Sequence, residues 1–212
     1  IGIYQPKAWS ILTRAFAANR VASTYLFWGE EGFGHWQLTL SFAALMNCRS
    51  TDQSKARPCG ECNHCRQIAA LGFSGLQIIV PISSHRTMNE AIDLTNEILE
   101  AKRTEPFAIW ASATQTTIPI DLAREVRSRL ALKAEPGMKR AVLFITQRMD
   151  DPDIDNTVAP LIQRAVDSKV KVFVWFIDAE EFNISPSANA FNTLAQQTGG
   201  GFFSFSRSET FP

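Results

Sequence analysis

The sequence has 212 residues, of which 45% are hydrophobic, and its 21 basic residues balance its 21 acidic ones. This length and apolar fraction are enough for one large domain or two small ones with a buried core. The balanced charge excludes a global field that attracts nucleic acid, so such a contact would need a local patch. Without a signal-peptide pattern or an apolar run of about 18 residues, we expect a soluble, cytoplasmic protein with no membrane contact.

The first half of the chain predicts helices and strands in alternation. A helix is predicted over residues 6–18, where Trp9, Leu12 and Phe16 recur at helical spacing. An apolar strand over residues 25–28 then leads through a glycine-rich turn into the next helix. The further elements predicted in this half are a helix over 36–46, a helix over 67–71, a strand over 76–80 and a helix over 87–102.

The second half continues the same alternation after an inserted loop. That loop is predicted over residues 103–119, because they show no period and contain Pro106 and Pro119. The remaining predicted elements are a helix over 121–130, a strand over 140–146, an acidic turn over 150–155, a helix over 158–167, a strand over 170–177, a helix over 191–197 and a strand over 202–205. This order predicts an α/β fold with a mostly parallel central sheet and flanking helices.

All four cysteines of the chain lie in one short stretch, at Cys48, Cys59, Cys62 and Cys65. The spacing C-x10-C-x2-C-x2-C brings four thiolates within reach of one tetrahedral ion, so we expect structural zinc. A disulfide pair is the less favoured alternative, because the expected compartment is reducing. His64 lies inside the cluster and could replace one thiolate, but we favour a solvent-facing position for it in a knuckle turn.

A glycine-rich turn with Gly29, Gly32 and Gly34 follows the first predicted strand. Gly29 and Gly34 match the glycines of the phosphate loop G-x-x-x-x-G-K-[ST]. His35, however, takes the place of the lysine, and Trp36 takes the place of the hydroxyl residue that binds magnesium. We therefore expect no ATP hydrolysis, and we favour a purely structural turn over residual ATP binding.

The predicted helix over residues 121–130 carries Arg124, Arg127 and Arg129 opposite its apolar side. Such a basic face can contact the phosphates of nucleic acid. A solvated charged face is the commoner meaning of this pattern on an amphipathic helix. We favour that structural interpretation.

Several of these stretches resemble a known family, the bacterial DNA polymerase III clamp-loader subunits of the delta-prime or gamma/tau type. The resemblance covers about residues 1–149. The stretches that carry it are residues 25–34, 42–48, 58–67 and 120–145. It implies an AAA+ ATPase-type fold with an inserted zinc module over residues 48–65, held by the four cysteines.

The same resemblance implies a second catalytic element, an Asp-Glu pair at the end of a later strand. Phe144 and Ile145 occupy the corresponding positions, so both acids are missing. The delta-prime subunit is the member of that family that does not hydrolyse ATP. The resemblance therefore implies a non-catalytic role in DNA replication, with other clamp-loader subunits as partners and DNA contacted through them.

Residues 141–206 look like the last portion of a different family, the von Willebrand factor A domains. A strand over residues 170–178 precedes a helix that ends in Leu-Ala-x-x-Thr-Gly-Gly. The Asp-x-Ser-x-Ser motif of the metal-binding members is absent, so this resemblance implies a protein-binding module without a metal-dependent adhesion site. The two resemblances divide the chain into a clamp-loader N-terminal domain, 1–149, and a von Willebrand A-like segment, 150–212, which can complete the same sheet.

Overall fold

The computed structural model describes residues 5–29, 32–52, 54–85, 87–106, 117–131, 136–144, 153–178 and 184–206. Helices and strands alternate along these ranges, and every strand pair in the two sheets is parallel. The predicted α/β class is thereby confirmed. None of the described helices is long and apolar enough to span a bilayer.

Seven helices and five strands make up the described part of the chain. In chain order they are α1 (Pro6–Ala17), β1 (Thr24–Gly29), α2 (His35–Asn47), α3 (Asn63–Ala69), β2 (Leu76–Ile79), α4 (Met88–Thr104), α5 (Ile120–Ala131), β3 (Ala141–Phe144), α6 (Ile154–Asp167), β4 (Val172–Asp178), α7 (Pro186–Gln197) and β5 (Gly201–Ser206).

The chain divides into two compact units. One comprises Leu40–Gln147, and the other joins Gly2–Thr39 to Arg148–Pro212. The boundary after Thr39 falls within α2. The division into domains 1–149 and 150–212 stays a prediction.

The unit that joins Gly2–Thr39 to Arg148–Pro212 is built on a three-stranded sheet in the order β1-β4-β5. In its register Leu26 lies opposite Val174, and Val174 lies opposite Phe202. Parallel neighbours need a crossover connection, and α7 is the helix between β4 and β5. The segment after residue 150 therefore supplies two of the three strands of the sheet that contains β1.

The two faces of this sheet differ in composition. One face packs against α6 and α7, where Val174 and Phe176 meet Val158, Phe191 and Leu194 in a buried core. The other face carries neighbouring aromatic rings whose centroids lie 4.9 to 6.4 Å apart. These rings belong to Tyr25, Phe27, Phe173, Trp175 and Phe203. The side chains alternate between the two faces as the strand period of two requires.

The unit formed by Leu40–Gln147 contains the parallel pair β2-β3 with a helix on each face. Ile79 packs against Leu122 and Val126 of α5. Ile78 and Val80 lie on the opposite face and pack in a cluster that includes Ala91 of α4. The alternation of neighbouring residues in β2 thus places α4 and α5 on opposite sides of this pair.

Three helices begin four or five residues earlier than the apolar pattern predicts. Helix α7 begins at Pro186 rather than 191, because the Ser185 hydroxyl accepts a hydrogen bond from the Ala188 N–H at 3.2 Å and proline fits the first turn. Helix α6 begins at Ile154 rather than 158, so the end of the predicted acidic turn is already helical. Helix α3 likewise begins at Asn63 rather than 67, directly after Cys62.

The predicted loop over residues 103–119 is partly wrong, because residues 103 and 104 complete α4. An antiparallel bridge joins Thr117, near the end of that stretch, to Ile82. Residues 107–116 lie outside the described residues, as do 145–152, which include the first part of the predicted acidic turn.

Candidate metal centre

The four cysteines come together around the start of α3. Cys48 follows the last residue of α2, Cys62 directly precedes α3, and Cys65 lies in its first turn. Cys59 lies in the loop between these helices. The four Sγ atoms all lie within 4.8 Å of one another, and none forms a disulfide.

Backbone groups support the sulfurs of this cluster. The Cys59 N–H donates to Cys48 Sγ at 3.5 Å, and the Cys62 N–H donates to Cys59 Sγ at 3.3 Å. Backbone N–H groups of Cys62 and Glu61 lower the pKa of Cys59 to about 6. Burial, in contrast, raises the pKa of the Cys65 thiol to about 12. The turn around Cys59 therefore favours the thiolate, which is the form that binds a metal.

This arrangement fits one zinc ion. A tetrahedral zinc with Zn–S bonds of about 2.3 Å spaces its sulfurs about 3.8 Å apart, which the observed separations accommodate. Four soft thiolate donors are the ligand set that selects such a metal. Because four sulfurs complete the shell, a metal held here is structural, with no position left for a reacting water.

The prediction that His64 faces the solvent is wrong. The ring is half-buried, with Nδ1 2.9 Å from the carbonyl oxygen of Asn47. Its centroid lies 5.0 Å from that of the Phe73 ring. His64 is therefore a neighbour of the cysteine cluster and not one of its four ligand residues.

Arginine side chains secure the backbone around the cluster. Arg49 Nη2 donates to the carbonyl of Pro136 at 2.9 Å, and Arg57 Nη2 donates to the carbonyl of Ser50 at 2.8 Å. Arg49 was missed by the sequence analysis, because its partner lies 87 residues away and no local pattern links the two.

Comparison with known proteins gives the family. A family model described as DNA polymerase III, delta subunit, matches residues 4–151. The chain belongs to this family. The matched region contains all four cysteines, the glycine-rich turn and β3, so the resemblance to the clamp-loader subunits is confirmed at the level of the family.

Two curated proteins of Arabidopsis thaliana match a shorter segment. Protein STICHEL-like 4 is 44% identical over 54 residues, which is 26% of this chain and 5% of that protein. Protein STICHEL-like 2 is 43% identical over 57 residues, which is 27% of this chain and 6% of that protein. The matches therefore span about a twentieth of the length of these relatives. No solved structure matches the chain, and none of the matches supports the resemblance to a von Willebrand A domain.

The glycine-rich turn of this family member has the backbone that its glycines predict. Strand β1 ends at Gly29 and α2 begins at His35, while Gly32 and Gly34 have φ angles of +91° and +82°. Only glycine adopts such angles without steric cost. The Gln5 side chain, 2% exposed, donates from Nε2 to the carbonyl of Phe33 at 3.0 Å. Gly32 and Gly34 are thus needed for the turn itself, whether or not a nucleotide binds.

His35 and Trp36 replace the lysine and the hydroxyl residue of a phosphate loop, and their surroundings differ. Trp36 is buried, with 8% of its surface exposed, so the position of the magnesium-binding hydroxyl is occupied by a core side chain. His35 is half-buried, and its backbone carbonyl accepts a hydrogen bond from Thr39 Oγ1 at 2.8 Å. Phe144 is the last residue of β3, and Ile145 lies outside the described residues.

Two arginines of α5 are paired with acids of the same helix. Arg124 Nη1 lies 3.0 Å from Asp121 Oδ1, and Arg129 Nε lies 2.9 Å from Glu125 Oε1. All four side chains are exposed. The side chain of Arg127 lies outside the described part of the chain. These pairs support the interpretation of a solvated face over a phosphate-binding one.

Proposed function

We propose that this protein is a non-catalytic clamp-loader subunit of the delta-prime type, which takes part in DNA replication by holding partner subunits. Its membership of the DNA polymerase III delta subunit family supports a clamp-loader role. The partners are other clamp-loader subunits, and DNA is contacted through them. The non-catalytic part of the proposal rests on the glycine-rich turn.

The observation that carries the non-catalytic role is the buried indole of Trp36. A working phosphate loop needs a hydroxyl there to bind magnesium and a lysine before it to hold the phosphates. An indole packed in the core can do neither, and the imidazole of His35 is shorter than a lysine side chain. The turn therefore serves the packing of the protein and lacks the side chains for phosphoryl transfer.

We further propose that the cysteine cluster binds zinc and serves this role as a rigid module. The module follows α2 and is tied by Arg49 to the carbonyl of Pro136, close to the start of β3. A closed four-thiolate site contributes folding free energy and no chemistry. In this proposal the zinc module shapes a surface by which the subunit is held in its assembly.

The proposed role is tested by two measurements on one preparation of the purified chain. They are ATP turnover and association with other clamp-loader subunits. The purified chain, with magnesium and ATP, should release phosphate no faster than a protein-free blank. Mixed with clamp-loader subunits of the gamma/tau type, it should co-elute with them in size-exclusion chromatography. Turnover above the blank that is lost in Gly34→Ala would overturn the non-catalytic role, and failure to associate would overturn the subunit role.

A further inference from the structure

Asn47, the last residue of α2, is a buried polar residue next to the first cysteine, with 3% of its surface exposed. Its Nδ2 group donates to the carbonyls of Ala43 at 3.0 Å and Lys139 at 3.1 Å. Its Oδ1 atom accepts from the N–H of Lys139 at 2.8 Å. Both donors of the amide and its acceptor atom are therefore engaged, and they tie the end of α2 to the backbone that enters β3.

His64 completes the connection from the side of α3. A carbonyl oxygen can only accept, so the contact between His64 Nδ1 and the carbonyl of Asn47 places the ring proton on Nδ1. The ring is also packed against Phe73. Because Asn47 precedes Cys48 and His64 precedes Cys65, this hydrogen bond joins the chain positions next to two of the sulfurs.

Cys48 and Cys65 are the two buried cysteines of the cluster and come from different helical regions. Cys59 and Cys62, by contrast, lie three residues apart, and their spacing is set by one local turn. The distance that needs an additional constraint is thus the one between Cys48 and Cys65. The bridge between Asn47 and His64 supplies that constraint.

We propose that Asn47 and His64 are positioning residues of the metal centre, which hold Cys48 and Cys65 at ligand distance before the metal arrives. Residues that orient metal ligands in this way typically change metal affinity 10- to 100-fold when they are replaced. The proposal rests on the proposed metal centre, and the experiment separates the failure of one from the failure of the other.

The experiment measures the zinc affinity of the full chain by competition with a chromophoric chelator, in a reducing buffer. His64→Phe keeps a ring against Phe73 and removes the donor, so it should weaken zinc binding about 10- to 100-fold. His64→Asn returns an amide donor near the position of Nδ1 and should recover most of that loss. Asn47→Asp removes both donors of the amide and should weaken binding, whereas Asn96→Asp on the exposed side of α4 should leave it unchanged.

A second measurement distinguishes positioning from general support of the fold. Thermal unfolding of each variant is recorded with and without zinc. If His64 positions the ligands, zinc should raise the thermal unfolding midpoint of His64→Phe by less than it raises that of the unaltered chain. Equal lowering of the metal-free and zinc-loaded midpoints, or unchanged zinc affinity in His64→Phe, would overturn the proposal. Absence of zinc binding by the unaltered chain would instead overturn the metal centre itself.

Discussion

Gly200 ends the Thr-Gly-Gly sequence after α7, and close packing explains why this position is glycine. A Cβ atom at this position would lie 1.9 Å from the carbonyl oxygen of Val172, on the neighbouring strand β4. The preceding Thr198 donates from Oγ1 to Leu194 and accepts from the Val172 N–H at 3.1 Å. The Thr-Gly-Gly sequence thus ends α7 and lets β5 start against β4.

Replacement of Gly200 by alanine is expected to destabilise the protein by about 3 kcal/mol, because the added atom meets backbone that cannot turn away. The measurement is urea denaturation followed by circular dichroism. Gly72→Ala is the matched control, since its Cβ would meet only the Ala70 carbonyl at 4.0 Å. Equal stability of the two variants would contradict this account of the motif.

Helix α7 is the element on which the core beside the three-stranded sheet depends. Five of its residues are buried: Ala188, Ala190, Phe191, Leu194 and Ala195. Its start is set by Ser185, whose hydroxyl accepts from the Ala188 N–H, and by Pro186 in the first turn. The apolar pattern alone placed the start at residue 191, because a cap is a polar signal and does not appear in the hydrophobic period.

Removal of this cap tests the assignment of the helix start. Ser185→Ala should lower the free energy of unfolding by about 1 kcal/mol, since it leaves an N–H of the first turn without its acceptor. Ser185→Asp should retain stability, because a carboxylate accepts the same bond and favours the positive end of the helix dipole. Chemical denaturation of both variants provides the measurement. A loss in Ser185→Asp as large as in Ser185→Ala would count against capping.

The zinc module, residues 48–65, is the part of the molecule whose stability we expect to depend on the proposed metal. The described residues within 48–62 form no helix or strand, and most of their side chains are at least partly exposed. Such a stretch buries too little apolar surface to offset the entropy of ordering it. In a site of this kind the free energy of metal binding is also free energy of folding.

Metal removal from the whole protein should therefore loosen this module selectively. Elemental analysis of native protein should give about one zinc per chain, and chelation in reducing buffer should raise hydrogen exchange across residues 48–65. Amides of β4, which lies in the other unit, are the internal control and should keep their protection. Protein with four free thiols and no bound metal, prepared without chelators, would refute the zinc assignment.

The sequence alone was enough to predict the structures that depend on neighbouring residues. The apolar runs at β1 and β4 and the helical periods of α1 and α5 lie within about two residues of their predicted bounds. The cysteine cluster was predictable because three of its four members lie within seven consecutive residues, and the glycine turn because its φ angles are local. The family resemblance followed from the same local stretches.

The tertiary structure decided what depends on residues far apart in the chain. The pairing of β1 with β4 and the hydrogen bonds of Asn47 to Lys139, 92 residues away, have no local signature. The orientation of His64 likewise depends on a carbonyl 17 residues earlier. Periodicity and spacing encode contacts within a turn or a loop, whereas such distant partners are selected only when the sheets and helices pack and buried polar groups must find donors and acceptors.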